Sequence, residues 1–315
     1  MEMSARKIVG TLVYAEKVPH PTIGDQDAVH GADTHRLPPM GVVVLNYNGL
    51  EDTLECIGSL RRSQGINVRI IVVDNGSPDG SGEALETRAS AVELIRNSGN
   101  LGFAGGVNVG MRRALEHGLP YVFLLNNDAV VDVDLLQETV AFAEAHPDVG
   151  VLGPRIVHYD APGVNQFPWQ DEATQPFDTI GLSGSAVLIR ASVLERVGLL
   201  DPTYFMYWEE KDFFERCRRN GFRTVYVPTR ARVLHKVAAS TAKVPGLKEY
   251  YMIRNGFIFI RRYKGTASIA RHLLRSLASL LKPGPSIRST SARARGLRDG
   301  LVMFIRNPPA NARTH

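Results

Sequence analysis

The chain has 315 residues, 44% of them apolar, enough to bury a sizeable core in one large domain or one and a half. Apolar runs such as Gly41 to Leu45 and Tyr121 to Leu125 fall far short of the roughly 18 residues that span a bilayer. Charges and prolines near the start (Lys7, Glu16, Lys17, Pro19, Pro21) stand where an export signal has its apolar core, so a cytoplasmic protein is expected. Residues 1–38 show no sustained periodicity and are read as an irregular arm with no assigned function. From Met40 short β-branched runs alternate with helical stretches. They run Val42–Leu45, a helix from about Glu51 to Ser63, Arg69–Val73, a helix near Ser81–Ala89, Val92–Ile95, a helix over Ala104–His117, Tyr121–Leu125, and a helix over Asp134–Ala145. Strand then helix, repeated, predicts a parallel sheet with crossover helices, and continuous apolar strands predict cover on both faces.

After Val149 the texture is mixed. Pro154, Pro162, Pro168 and Pro176 mark an irregular segment, followed by the apolar run Ala186–Ile189, a helix, an aromatic stretch and the strand Thr224–Val227. A nucleotide-binding half over 40–130 and an acceptor-binding half over 150–260 follow, within one domain over 39–263. From Lys264 to His315 there are ten Lys or Arg against one acid, Asp299, whereas the residues before carry 27 against 31. This predicts a basic amphipathic helical tail, either solvated or lying on anionic membrane. Cys56 and Cys217 are expected as buried free thiols.

In an open α/β sheet ligands bind beyond the carboxyl ends of the strands, where four polar segments stand in succession. They are Asn46-Tyr47-Asn48-Gly49, Asp74-Asn75-Gly76-Ser77, Asn97 to Gly106, and Asn126-Asn127-Asp128. Any one of them is explained by caps and turns; four in a row point to a ligand. Asp74 suits the imide N–H of a uracil or thymine ring. The glycines of the third segment, opening the helix that holds Asn108, let backbone approach a diphosphate. Neither the phosphate loop of ATPases nor the dinucleotide fingerprint is present. Asp128, with amide neighbours, suits a hard cation that also takes phosphate and water. Three carboxylates in four positions, Glu209, Glu210 and Asp212, follow Tyr204-Phe-Met-Tyr207-Trp208. If partly buried, at least one has the raised pKa a general base needs; otherwise they are an exposed first turn favoured by the helix dipole. Trp208 is read as a sugar-stacking face or as core, and His235 as surface, core or metal ligand.

Taken together, these segments resemble the family 2 inverting glycosyltransferases of the GT-A fold, specifically the bacterial rhamnosyltransferase-like branch. The resemblance is carried by VVVLNYNG, IIVVDNGSPDGS, RNSGNLGFAGGVNVGM, FLLNNDAVV, GLSGSAVLIRASVLERVGLLDPTYFMYWEEKDFFERCRRNGF and VLHKVAAST, in family order over about Gly41 to Tyr263. It implies a Rossmann-like mixed sheet with helices on both faces. It implies nucleotide binding by Asn46, Asp74, Asn75, Asn100, Gly102, Phe103, Asn108 and Asn127, and a divalent metal, Mg²⁺ or Mn²⁺, on Asp128, Asn126 and His235. The family's metal-binding D-x-D reads Asn126-Asn127-Asp128 here, one charge fewer. Gly184, Ser185 and Trp208 fall in the acceptor segment. The family's E-D pair reads Glu209-Glu210, so the base is expected as Glu210, Glu209 or Asp212, in that order. The reaction implied is transfer with inversion from a dTDP- or UDP-sugar, dTDP-L-rhamnose first, to a saccharide acceptor, lipid-linked, in cell-envelope polysaccharide synthesis. No nucleic-acid partner is expected. The rival readings are a nucleotidyltransferase and a non-catalytic nucleotide-sugar-binding protein.

Overall fold

A computed structural model describes residues 37–236, 244–281 and 287–306. The arm expected over 1–38 therefore lies, but for its last two residues, outside the described residues. Four parallel strands, β1 (Met40–Asn46), β2 (Val68–Asp74), β3 (Glu93–Arg96) and β4 (Tyr121–Asn126), lie in the order β3-β2-β1-β4. Their crossovers are α1 (Leu50–Arg61), α2 (Ser81–Arg88) and α3 (Gly102–Glu116). The expected strand–helix units are all present. Acids in the first turn and Arg61 in the last turn suit α1 to its own dipole, whereas α3 opens on glycine with no acid.

The chain continues through β5 (Ala129–Val131), α4 (Leu135–Ala145), β6 (Val149–Gly153), β7 (Ile156–His158), β8 (Ala161–Asn165), β9 (Phe177–Asp178) and β10 (Ala186–Arg190). It goes on to α5 (Ala191–Val197), α6 (Glu209–Arg219), β11 (Arg223–Tyr226) and β12 (Val233–His235). β10 runs antiparallel between β4 and β6, and β11 with the edge strand β9 completes an eight-stranded mixed sheet. A separate sheet, β5-β12-β7-β8, stands beside it; the sequence reading had no signal for it, because its strands are too short to carry periodicity.

Alternation along each strand divides the core. Val42, Val44, Val72 and Phe123 face α1, α2 and α4, while Val43, Ile71, Val122 and Leu124 face α3, α5 and α6. Both faces are thus covered, as the continuous apolar strands require. Cys56 and Cys217 are buried free thiols. Among the described residues the basic stretch from Lys264 onward is helical, in two pieces that follow one more helix of the domain. α7 (Leu247–Tyr263) packs on the segment before α6, with Ile258 and Phe259 against Tyr204 and Trp208, and is followed by α8 (Thr266–Leu281) and α9 (Ile287–Arg306). Among the described residues no helix is long and apolar enough to cross a membrane.

Candidate active site

Parallel register sets Asn46 beside Asp74 and Leu45 beside Asn126, so the polar strand ends share one edge. Asn46 is wholly buried. Its amide donates to Asp74 Oδ1 at 2.7 Å and Ser81 Oγ at 2.9 Å, and its oxygen accepts from Thr53 Oγ1. Ser77 Oγ donates to the same Asp74 oxygen at 2.6 Å and Ser77 N–H to Oδ2. Asp74 is thereby a fixed carboxylate, and Asn46 acts by holding it.

Asn75 ties the end of β2 to the Gly-rich loop. Its amide donates to Gly102 O at 3.0 Å and Asn100 Oδ1 at 3.1 Å, while its oxygen accepts from Leu101 N and Asn97 Nδ2. Asn100 Oδ1 in turn accepts from Gly102 N at 2.8 Å. Gly102 has φ +74°, and a Cβ there would lie 2.5 Å from the Phe205 carbonyl oxygen, which accepts from Ala104 N. Only glycine fits both that angle and that approach. The loop thus meets the acidic segment back to back, with Phe103 partly buried beneath it. Asn108, expected in nucleotide binding, instead has both ends of its amide on the Leu200 backbone, so it clamps the two halves together. Asn127 likewise turns away, donating to Thr53 Oγ1 at 3.0 Å.

In the tight turn from β4 to β5, Asn126 and Asp128 face His235 on β12. His235 Nε2 lies 3.1 Å from Asp128 Oδ1 and 3.3 Å from the Asn126 amide, and Nδ1 lies 3.1 Å from Gln166 Oε1. When Nδ1–H donates to Gln166, Nε2 turns a lone pair toward the carboxylate. In that tautomer the imidazole nitrogen and the carboxylate oxygen turn lone pairs to one point, as two ligands of a metal ion do. Among the described residues no group of three or more His, Cys, Asp or Glu is placed to hold a metal ion. One carboxylate, one imidazole and an amide fit a divalent ion that completes its shell with phosphate and water.

The acids follow a strained turn. Phe205, Tyr207 and Trp208 have φ of 65°, 63° and 78°, unusual for bulky residues. Asn255 on α7, fully buried, donates its amide to the carbonyls of Tyr204, Met206 and Tyr207, each at 2.8 Å. Beyond the turn, Glu209 and Glu210 each hold a buried carboxylate oxygen with no hydrogen-bond partner. Burial, then the neighbouring Glu210 charge, pushes Glu209 well above the usual carboxylate range; burial raises Glu210, with Lys211 pulling the other way. Gly184 passes beside Glu210, with room for no more than van der Waals contact, and Ser185 O accepts from Asn126 N at 2.8 Å. A continuous path therefore runs from Glu210 through Gly184 and Ser185 to Asn126, Asp128 and His235.

Two expectations are corrected. Asp212 is fully buried, and its carboxylate accepts from Tyr263 Oη at 2.8 Å, Arg216 Nε at 2.9 Å, Arg262 Nη1 at 3.0 Å and Tyr204 Oη at 3.1 Å. Three of these donors meet Oδ1 and one Oδ2, and with two arginines and two tyrosines around it the fully buried carboxylate braces α6 instead of facing an acceptor as the base. Trp208 donates its indole N–H to Met252 O, and its ring lies between Phe259 and the Lys211 ammonium, so it is packing rather than a sugar platform. Asn255 and Gln166 were missed, since neither sits in a motif and their partners are distant in sequence.

Residues 41–222 match the family model described as glycosyl transferase family 2. The chain is 29% identical over 293 residues to N-acetylglucosaminyl-diphospho-decaprenol L-rhamnosyltransferase of Mycobacterium tuberculosis, covering 81% of this chain and 94% of that protein. It is 21% identical to dTDP-rhamnosyl transferase RfbF of Shigella flexneri, over 70% of this chain and 79% of that one. The solved structure of mannosyltransferase PcManGT from Pyrobaculum calidifontis, in complex with GDP-Man and Mn²⁺, superposes with a TM-score of 0.59 at 18% identity, covering 87% and 89% of the two chains. The mixed sheet with helices on both faces, its strand ends and the match over more than half of its length make this chain a member of glycosyl transferase family 2, a glycosyltransferase of the GT-A fold.

Proposed function

We propose that this glycosyltransferase moves a sugar, with inversion, from a dTDP- or UDP-sugar to a saccharide acceptor carried on a lipid diphosphate, in cell-envelope polysaccharide synthesis. dTDP-L-rhamnose is the favoured donor. The observation that carries the reading is the half-buried Glu210, with one carboxylate oxygen enclosed and without a hydrogen-bond partner, at one end of a path that closes on Asp128 and His235. The names of the mycobacterial and Shigella relatives support the donor and the lipid-linked acceptor.

In this reading the donor half spans 40–130 and the acceptor half 150–260. The Asp74 carboxylate accepts the N–H of the pyrimidine, and the backbone from Asn100 to Phe103 lies along the diphosphate. When held by Asp128, His235 and the amide of Asn126, a divalent cation, Mg²⁺ or Mn²⁺, supplies positive charge to the departing diphosphate; the PcManGT complex supports such an ion. Glu210 takes the proton of the acceptor hydroxyl as that oxygen attacks the anomeric carbon, and the C–O bond to the nucleoside diphosphate breaks on the opposite face. Glu209, buried beside it, keeps the pair's proton affinity high. Gly184 and Ser185 line the acceptor side. The enzyme works peripherally at the inner face of the membrane that carries its acceptor.

The test is nucleotide release by the purified chain from a panel of nucleotide sugars, with and without lipid-linked acceptor. Release of dTDP or UDP that rises with acceptor is expected. No turnover of any nucleotide sugar, or pyrophosphate release from a nucleoside triphosphate, would overturn the reading in favour of a binding protein or a nucleotidyltransferase.

A further inference from the structure

α8 is amphipathic, but its apolar stripe is only partly covered. The side toward the protein mixes half-buried Ile269, Leu273 and Leu280 with polar residues. Ser276 is buried and donates to His272 O at 2.8 Å, Ser279 O accepts from Arg293 at 2.6 Å, and His272 packs on Gly256 and Phe257 with Nε2 3.0 Å from Ile253 O. Its outward side is aliphatic, with Leu274 66%, Leu277 44% and Leu281 89% exposed. At about 100° per residue these three leucines fall within roughly one-sixth of the helix circumference, and the exposed Ala270 lies in the same arc. Arg271 and Arg275, both exposed, flank the arc on one side. A soluble surface does not place three leucines outward without a partner.

The charge around that face selects the partner. Asp299 is the only acid from Lys264 onward, and it is already engaged by Arg298 and Tyr250. α9, by contrast, is fastened to α7 by glycines that allow close approach, Gly296 at Tyr250 and Gly300 at Phe257, so it belongs to the protein interior side. α8, with 16 residues, is not long and apolar enough to cross a membrane. An apolar arc bordered by arginines, on a helix that cannot span, has the chemistry of an interfacial anchor.

We infer that the Leu274–Leu277–Leu281 face of α8 lies in the surface of an anionic lipid bilayer, with Arg271 and Arg275 at the headgroups. This deepens the lipid-linked-acceptor reading above and rests on it only for its purpose; the surface itself stands on the exposure of α8.

The experiment uses the full chain and vesicles of phosphatidylcholine, alone or mixed with phosphatidylglycerol. Wild type is expected to sediment with the anionic vesicles. The triple variant Leu274→Ser, Leu277→Ser, Leu281→Ser is expected to lose at least about 10-fold in partitioning, and Arg271→Glu with Arg275→Glu to lose the preference for phosphatidylglycerol. Because Cys56 and Cys217 are buried, a polarity-sensitive dye on Leu277→Cys reports the face directly and should shift to the blue on anionic vesicles. Unchanged sedimentation of the triple variant, an unshifted dye, or a dimer without vesicle binding that the leucine substitutions dissolve would each overturn the inference. Nucleotide release measured on the same samples keeps the two readings apart, since vesicle binding can fail while turnover persists, and the reverse.

Discussion

The Asn255 side-chain amide on α7 donates to the carbonyl oxygen of Tyr207 at 2.8 Å, two residues before Glu209. The same nitrogen serves Tyr204 and Met206, so one side chain holds a turn in which three bulky residues have positive φ. Asn255→Ala removes these bonds and lets the turn relax, moving the acids. Turnover is expected to fall by roughly 10²-fold, the cost of about 1 Å of misplacement, while nucleotide affinity holds. Equal losses in both, by kinetics and calorimetry, would mean the clamp is only structural.

Glu210→Gln keeps the volume and removes the proton acceptor, so kcat should drop by roughly 10²–10⁴ with donor affinity unchanged. Because burial raises both acids, the low-pH limb of kcat should lie above the usual carboxylate range, activity rising as pH climbs through the raised value. The stability sign is opposite. A carboxyl that binds its proton more tightly folded than unfolded makes the fold lose stability as pH rises from the ordinary value to the raised one. Glu209→Gln should therefore raise the melting temperature at neutral pH, and a fall would show that the Glu209 charge is compensated.

Asp128→Asn should cut transfer by at least about 100-fold, more than loss of an outer partner costs, and make donor binding insensitive to Mn²⁺ or Mg²⁺. Gln166→Ala, freeing the far nitrogen of His235, should weaken Mn²⁺ binding by about 10- to 100-fold, read by calorimetry with nucleotide present. Full activity of wild type in chelator would sink both assignments.

Asp74→Ala should weaken pyrimidine nucleoside diphosphate binding by about 1.5–3 kcal/mol, the range for a charge-assisted hydrogen bond. It also strips Asn46 and Ser77 of their acceptor, so Ser77→Ala, which loosens the carboxylate without removing it, is the control. An unchanged affinity in Asp74→Ala refutes base reading by this residue.

The strand ends were legible in sequence because continuous β-branched runs fix where a buried strand stops, and register then brings Asn46, Asp74 and Asn126 to one edge. Asp128 was legible as a strand end that suits a hard cation, but its pairing with His235 came only through the family resemblance, since 107 residues separate the two. Side-chain amides were the hardest to read. Asn75, Asn108, Asn127 and Asn255 are chemically alike, and only the folded positions of Gly102, Leu200, Thr53 and Tyr207 decide which holds a loop, a seam, a helix start or a strained turn. Trp208 stayed open between sugar stacking and core for the same reason, as nothing local announces Met252 and Phe259.

The family match ends at residue 222, yet two of the four donors to Asp212, Arg262 and Tyr263, lie on α7. The boundary drawn by similarity and the boundary drawn by charge neutrality are different boundaries. A fragment cut at the first would leave the buried Asp212 carboxylate with Tyr204 and Arg216 but without Arg262 and Tyr263, half of the donors that offset its desolvation. The acid-bearing helix is therefore not a graftable part. Any chimera that exchanges α6 must carry α7 with it, as a single inherited piece.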